Sequence, residues 1–166
     1  LLSMEKTIIG QDRALELISG ALASKRFAGS YLFTGPAGVG KYTTARMIAA
    51  ALFCKEGDFP PCRECVSCKK VEHFNHPDVI YLEPRGKEIR IDDVREINRL
   101  IGLKPFEGPN KMAIVDSAEK LRREAANAML KTLEEPPEDT VIVLITNSTR
   151  ALLPTIVSRC QIIRFN

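Results

Sequence analysis

Residues 35–41 form a glycine-rich segment whose residue types suit phosphate binding. They read Gly-Pro-Ala-Gly-Val-Gly-Lys, with glycines at Gly35, Gly38 and Gly40 and a lysine at Lys41. Glycines let successive backbone N–H groups point into one concavity, a helix N-terminus adds partial positive charge, and the lysine reaches the outer phosphates. An apolar run precedes the segment and an alanine-rich helical run follows it. This context predicts a nucleotide phosphate site and disfavours a turn that binds nothing.

The residue after the lysine departs from the usual pattern of such loops. That position normally carries Ser or Thr, whose hydroxyl binds Mg²⁺, but here it is Tyr42. A phenol projects too far to replace that hydroxyl from the same backbone position. Thr43 lies one residue further, about 100° around a helix axis, so it should not face the same ion. We therefore expect no Mg²⁺ at this loop, and binding of ATP or ADP through Lys41 is left open.

A second candidate position lies where the apolar run 112–115 ends in Asp116. In phosphate-loop ATPases a strand ends in an aspartate that holds the magnesium shell, and in many of them a glutamate follows and polarises the attacking water. The next residue here is Ser117, which cannot accept a proton from water at neutral pH. Glu119 should lie on the following turn. Together with Tyr42, this departure predicts essentially no ATP hydrolysis by the isolated chain.

Four of the five cysteines fall close together, with the spacing C-x7-C-x2-C-x2-C. They are Cys54, Cys62, Cys65 and Cys68. Four thiolates satisfy a tetrahedral Zn²⁺ at a closed structural site. An iron–sulfur cluster and a metal-free cluster are the alternatives, although ferredoxin-type runs use other intervals, and His73 or His76 could replace one cysteine. The spacing predicts a structural zinc site without a catalytic role, in an insertion that spans residues 54–70.

Length and composition bound the kind of chain that carries these residues. With 166 residues, of which 45% are hydrophobic and 27% charged, the chain has the size and composition of one globular domain. No apolar run approaches the roughly 20 residues of a membrane span, and residues 1–6 lack the pattern of a secretory signal. A reducing compartment is therefore expected, in which clustered cysteines favour a metal over disulfides. The net charge of +3 permits nucleic acid as a partner without requiring it.

Apolar patterns predict the elements that must position these residues. Apolar, β-branched runs predict strands over residues 30–34, 78–82, 112–115, 141–146 and 161–165. Helical spacing predicts helices over residues 11–25, 41–53, 92–101 and 122–133, and a helical turn over residues 154–159. Asp92 is the expected N-cap of its helix, and Leu100 and Leu130 are expected on buried helix faces. The alternation favours an α/β fold with a mostly parallel sheet.

Several short stretches resemble those of bacterial clamp-loader subunits, which are AAA+ proteins of DNA polymerase III. They cover nearly the whole chain, and the last two are highly specific. They are residues 9–11 (Ile-Gly-Gln), the loop 35–41, the cysteine cluster, 76–78 (His-Pro-Asp), 131–137 (Lys-Thr-Leu-Glu-Glu-Pro-Pro) and 153–160 (Leu-Pro-Thr-Ile-Val-Ser-Arg-Cys). The resemblance implies an AAA+ P-loop NTPase-type fold, with a five-stranded parallel sheet flanked by helices and a small zinc-binding insertion. It also implies that the strands ending near Thr34 and Thr146 are neighbours.

The resemblance also implies roles for single residues. Asn147 matches the position called sensor 1, which contacts the outer phosphate in active members. Arg159, in Ser-Arg-Cys, matches the arginine finger, which reaches into the ATP site of a neighbouring subunit. Gamma/tau subunits keep a Thr after the loop lysine and an Asp-Glu pair. Tyr42 and Ser117 therefore fit the delta-prime type of subunit, which does not hydrolyse ATP.

The implied function is that of a non-hydrolysing subunit in ATP-dependent loading of the sliding clamp on primed DNA during replication. The implied partners are gamma/tau and delta subunits in a hetero-oligomer, with the clamp and primed DNA reached through that complex, in the bacterial cytoplasm and away from membranes. One alternative is an active gamma/tau-type clamp-loader ATPase, and another is a stand-alone phosphate-loop enzyme such as a small-molecule kinase. The scattered basic residues predict only weak, non-specific DNA binding by this domain alone.

The extent of the family leads to an expectation about the extent of the chain. Members also carry a helical lid and a C-terminal oligomerisation domain, and neither fits before Asn166. We therefore expect residues 1–166 to form the nucleotide-binding-type domain of a longer protein, with residues 54–70 as a zinc module inserted within it.

Overall fold

Five parallel strands form the centre of the protein, in the order β2-β3-β4-β1-β5. In the computed structural model, which describes residues 8–166, the strands are β1 (Gly29–Thr34), β2 (Val79–Leu82), β3 (Lys111–Val115), β4 (Thr140–Thr146) and β5 (Gln161–Arg164). The helices are α1 (Asp12–Ala23), α2 (Lys41–Phe53), α3 (Val66–Glu72), α4 (Ile91–Ile101), α5 (Arg123–Glu134) and α6 (Pro154–Val157). The segment 1–6, considered above for a secretory signal, lies outside the described residues.

β4 lies in the middle of the sheet because its sequence is apolar on both faces. All seven of its residues are buried, as its continuous β-branched run predicts. It pairs in parallel with β3 on one side and with β1 on the other. Thr34 lies opposite Thr146 in the β1–β4 register. The prediction that β1 and β4 are adjacent strands is confirmed, as is the prediction of a five-stranded parallel sheet flanked by helices.

The sheet separates two apolar layers, and alternate residues of each central strand enter opposite layers. In β4, Val141, Val143 and Ile145 pack with α1, α2 and residues 54–70, which we call the cysteine module. Ile142 and Leu144 pack with α4, α5 and α6 on the other side of the sheet. This period of two is the geometry of a strand buried on both faces. Among residues 8–166, no helix has both the length and the apolar character that a membrane crossing requires.

The structure corrects two local predictions and adds one helix. α4 begins at Ile91 with Arg90 as N-cap, so Asp92 lies in the first turn. Asp93 supplies the capping interaction instead, because its Oδ2 accepts the Arg90 N–H at 3.0 Å. Leu100 and Leu130 are only partly buried. The added helix is α3, which was not predicted. It lies within the cysteine segment, and seven residues without a long apolar stripe give a weak periodic signal.

A buried carboxylate holds the loop that leads from α4 to β3. Asp78 is 1% exposed, and its oxygens accept the backbone N–H groups of Phe106 at 2.6 Å, Glu107 at 2.8 Å and Gly108 at 3.2 Å. Three converging N–H donors compensate the desolvation of one buried charge. Asp78 therefore gives the His-Pro-Asp stretch a structural role, which is to fix the loop before β3.

A buried lysine holds the start of the same loop. Lys111 is 6% exposed, and its Nζ donates to the carbonyl oxygens of Leu100 at 2.8 Å and Leu103 at 2.7 Å. These carbonyls come from the end of α4 and the residues that follow it, where helical partners are missing. The two buried charges set the position of β3, whose far end carries Asp116.

His76 fills the space between the cysteine module and this loop. Its side chain is 1% exposed and stacks on Phe53 with ring centroids 4.1 Å apart. Its Nδ1 accepts the Asp78 N–H at 3.2 Å, and Nε2 lies 3.7 Å from Glu107 Oε2. Burial lowers the pKa of His76 below its ordinary value, although Glu107 and Asp78 oppose that shift. Burial therefore disfavours the charged form of this imidazole in the folded protein.

We expect Asp78→Asn to lower the free energy of unfolding by about 2–3 kcal/mol, because an amide turns a donor group toward N–H groups that need an acceptor. Urea unfolding monitored by circular dichroism measures this change. Asp139→Asn is the matched control: Asp139 is exposed with φ of 56°, a conformation that Asn tolerates. Equal stability of the two variants would contradict the role assigned to Asp78.

We expect stability to fall as pH drops from 7 to 5, partly through His76. Below about pH 6.5 the unfolded chain protonates this histidine while the folded chain resists protonation. Proton uptake therefore stabilises the unfolded state relative to the folded state. His76→Gln should flatten the pH dependence of the unfolding free energy over this range. His73→Gln is the control, because it removes an imidazole at an exposed position. Identical slopes for wild type and His76→Gln would refute this explanation.

Candidate functional site

The glycine-rich loop lies at the carboxyl end of the sheet, between β1 and α2. Because all five strands are parallel, the segments that follow β1, β3 and β4 meet at the same edge. They enclose a cavity of about 350 Å³. Its walls bring together six of the residues singled out from the sequence: Gly38, Gly40, Lys41, Asp116, Ser117 and Asn147. Tyr42, Thr43 and Glu119 also line it.

Two glycines of the loop occupy positions that other residues would strain. A Cβ at Gly35 would lie 2.3 Å from the carbonyl oxygen of Phe165, so the loop can pass beside the end of β5 only without a side chain. Gly40 has φ of 95° and is the N-cap of α2. Its carbonyl accepts the Thr44 N–H at 2.8 Å. The chain thus turns directly from the loop into a helix whose N-terminus faces the cavity.

Lys41 is 6% exposed and uses its ammonium within the loop. Nζ donates to the carbonyl oxygens of Gly35 and Pro36, each at 2.6 Å, and to Asn147 Oδ1 at 3.2 Å. Burial lowers the pKa of Lys41, and the charges of Glu119 and Asp116 oppose that shift. The three contacts match the three donors of the ammonium, so an incoming phosphate has to displace one of them.

The phenol of Tyr42 makes a specific contact. Its hydroxyl donates to Glu83 Oε1 at 2.9 Å, and burial, followed by this hydrogen bond, raises the pKa of Tyr42. Glu83 directly follows β2, just as Asp116 directly follows the neighbouring strand β3, where Leu82 pairs with Val115. The hydroxyl at this position therefore binds the carboxylate that follows β2.

Asp116 and Glu119 bring two carboxylates to the cavity. Burial raises the pKa of Asp116, while a hydrogen bond from the Ser117 N–H at 2.8 Å lowers it. Ser117 has φ of 52°, and this left-handed residue turns the chain so that Glu119 also lines the cavity. Its Oε2 is buried and has no hydrogen-bond partner among the described residues. Glu119 therefore lies nearer to the site than its place on the next turn suggests.

The four clustered cysteines have the geometry of a metal site. Their Sγ atoms all lie within 4.8 Å of one another, and those of Cys62 and Cys68 are 4.0 Å apart. A tetrahedral zinc with Zn–S bonds of about 2.3 Å places its sulfurs about 3.8 Å apart, so the donor set fits this ion. Backbone N–H groups also point at the sulfurs, as from Cys62 to Cys54 Sγ at 3.4 Å and from Cys65 to Cys62 Sγ at 3.4 Å.

The electrostatics of the cluster differ among its cysteines: backbone hydrogen bonds lower the pKa of Cys54 and Cys65, whereas burial raises the pKa of Cys68. Burial would raise the pKa of Cys65, but hydrogen bonds from backbone groups, Lys55 first, and from neighbouring thiols outweigh it and lower the pKa to about 6. Thiolates are the form that binds metals. Neither His73 nor His76 joins the group of metal-ligating side chains found among residues 8–166. His76 instead stacks on Phe53.

Arg159 lies away from the cavity at the loop. It follows α6, and its guanidinium donates to Thr155 O at 2.9 Å and to Glu134 Oε2 at 3.4 Å. It is not among the residues that line the cavity of its own chain.

Sequence reasoning missed Glu83, Glu134 and the placement of Glu119. For Glu83 a signal was present, since a polar residue directly after a strand neighbouring β3 must approach Asp116.

The chain is similar to known DNA polymerase III subunits along nearly its whole length. Residues 10–166 match the family described as DNA polymerase III, delta subunit. The chain is 37% identical to DNA polymerase III subunit delta' of Bacillus subtilis, over 93% of this chain and 47% of that protein. It is 42% identical to the delta' subunit of Pseudomonas aeruginosa, over 80% of this chain and 42% of that protein. It is also 36% identical to DNA polymerase III subunit tau of Bacillus subtilis, over 93% of this chain and 27% of that protein. The chain thus spans about half the length of the delta' proteins it matches.

Solved structures give the same picture of the fold. A DNA polymerase III gamma subunit-related protein of Thermotoga maritima superposes with a TM-score of 0.65 at 30% identity, over 92% of this chain and 46% of that one. The RuvB Holliday junction branch migration motor of the same organism superposes with a TM-score of 0.63 at 17% identity, over 98% of this chain and 49% of that one. The second likeness concerns the fold alone, and the predicted AAA+ type of fold is confirmed. The chain therefore belongs to the DNA polymerase III delta subunit family, and the resemblance to delta-prime clamp-loader subunits predicted from its motifs is confirmed.

Proposed function

We propose that this chain is part of a clamp-loader subunit that does not hydrolyse ATP itself. In this proposal the subunit takes part in ATP-dependent loading of the sliding clamp on primed DNA during replication. The observation that carries the proposal is the hydrogen bond from Tyr42 to Glu83. A side chain fixed in this way offers no hydroxyl to a magnesium ion at the first turn of α2. Ser117, at the position after Asp116, likewise offers no base for water.

The proposed contribution to catalysis is made in trans by Arg159. Its guanidinium is partly exposed and is not among the groups lining the cavity of its own chain, which supports a role at the site of another subunit. An arginine at a transferring phosphoryl group stabilises the charge that develops there. The proposed partners are gamma/tau and delta subunits in a hetero-oligomer of the bacterial cytoplasm. The clamp and primed DNA would be reached through that assembly.

The proposed resident metal is one structural zinc ion held by Cys54, Cys62, Cys65 and Cys68. Bound there, zinc would cross-link the segment 54–68 and so hold the module against α2. The four sulfurs and the N–H groups that point at them support this assignment. No step of phosphate chemistry involves these residues.

The alternative function is an active ATPase of the gamma/tau type. Two observations favour it: the tau subunit of Bacillus subtilis is nearly as similar as the delta' subunit over the same length, and Glu119 lines the cavity with an unpartnered oxygen. In this alternative Glu119 would accept the proton of the attacking water in place of the absent glutamate.

We expect the full-length subunit to contain one zinc ion per chain, measured by elemental analysis of purified protein. Cys65→Ser should lose the metal and several kcal/mol of unfolding free energy, because three thiolates bind zinc less tightly than four. Cys160→Ser removes a thiol outside the cluster and should keep the metal. Iron with visible absorption in place of zinc would contradict the assignment and favour an iron–sulfur cluster.

We expect the full-length subunit alone to release no phosphate from ATP in the presence of magnesium. In the reconstituted clamp loader, Arg159→Ala should lower the rate of ATP hydrolysis at the one site that it serves by a factor on the order of 10³. Arg150→Ala, at an exposed residue of the preceding turn, is the control. Brisk hydrolysis by the isolated subunit that Glu119→Gln removes would overturn the proposal and support the alternative. Unchanged complex activity with Arg159→Ala would refute the role in trans.

A further inference from the structure

The two sequence stretches most specific to the family meet at one contact. Glu134 belongs to the stretch 131–137 and is the last residue of α5, whereas Arg159 belongs to the stretch 153–160. Although they lie 25 residues apart, Arg159 Nε donates to Glu134 Oε2 at 3.4 Å. α5 stops here because two prolines follow, which cannot continue a helix. The carboxylate is therefore delivered at a defined point beside α6.

The guanidinium of Arg159 is held at two of its three nitrogens. Nη1 donates to the carbonyl of Thr155 at 2.9 Å, within the same helical turn, and Nε donates to Glu134. Nη2 has no hydrogen bond to any residue between 8 and 166. Two fixed donors define the plane of a rigid guanidinium, so the third nitrogen is left for an oxygen of another molecule.

We propose that Glu134 is a positioning residue that orients Arg159 toward the phosphates of the ATP bound by a neighbouring subunit. This inference rests on the proposed function of Arg159 in trans. An arginine side chain has many rotamers, and a contact that restrains it in advance lowers the cost of ordering it at the site it serves. The negative end of α5 adds attraction for the cation.

The contact is weak enough to leave the arginine available. The side chain of Glu134 is 61% exposed and that of Arg159 is 29% exposed, and ion pairs at such exposure are easily broken. A triphosphate with several negative charges competes successfully with one solvated carboxylate. Glu134 therefore limits the directions in which Arg159 points without withholding it.

The test measures ATP turnover of the reconstituted clamp loader that carries the full-length subunit. Glu134→Gln should lower kcat about two- to fivefold, the range expected for loss of an exposed ion pair, with little change in KM. Glu135→Gln is the matched control, since Glu135 is the next residue, exposed, and in no ion pair among the described residues. The double variant Glu134→Gln/Arg159→Ala should be no slower than Arg159→Ala alone. Assembly of each complex is checked by gel filtration.

The outcomes separate the inference from the function on which it rests. If Arg159→Ala leaves turnover unchanged, the role in trans fails, and the inference fails with it. If Arg159→Ala slows turnover while Glu134→Gln matches Glu135→Gln, the role in trans stands and the inference is wrong. A higher kcat for Glu134→Gln also overturns it, because the carboxylate would then restrain the arginine unproductively. If the double variant turns over ATP more slowly than Arg159→Ala alone, Glu134 acts independently of Arg159, which also contradicts the inference.

Discussion

The parallel pairing of β1 with β4 is the constraint on which the candidate site depends. With Thr34 opposite Thr146, the glycine-rich loop after β1 and Asn147 after β4 begin at the same level of the sheet. The Lys41–Asn147 contact at 3.2 Å is a direct consequence. β3 lies on the other side of β4 and brings Asp116 to the same edge. The cavity exists because three strands end side by side, and the side chains that line it follow from that order.

Buried charges hold the segments that lead into these strands. Asp78 and Lys111 are both buried, and both act on backbone groups rather than on each other. A buried charge whose hydrogen bonds are all made to backbone groups favours one loop conformation. Any rearrangement would leave the charge buried without hydrogen-bond partners, which costs free energy. Lys41 likewise binds backbone carbonyl groups within the glycine-rich loop. The site is therefore built on backbone groups that are tied down before any ligand arrives.

The cysteine module is connected to the loop helix through Arg46 of α2. Its Nη2 donates to Glu72 O at 2.7 Å, at the C-terminal end of α3, where unpaired carbonyls and the helix dipole favour a cation. The guanidinium also lies 4.1 Å from the centre of the Phe74 ring. Arg46 is one turn beyond Tyr42 on the same helix, so the module and the phenol are supported by one rigid element. A structural metal in the module would thus stabilise the helix that follows the glycine-rich loop.

The amino-acid sequence by itself determined the alternation of strands and helices, the glycine-rich loop, the cysteine set and the family. All of these are signals of local spacing, which survive without knowledge of the fold. The sequence did not predict α3, because seven residues show too little hydrophobic periodicity. The start of α4 was misplaced because Asp93 rather than Asp92 makes the capping interaction. Only the tertiary structure decided that Tyr42 binds Glu83, that Glu119 lines the cavity and that Glu134 holds Arg159. Such contacts join residues from different elements, and their distances depend on strand order, helix ends and single turns such as the left-handed Ser117.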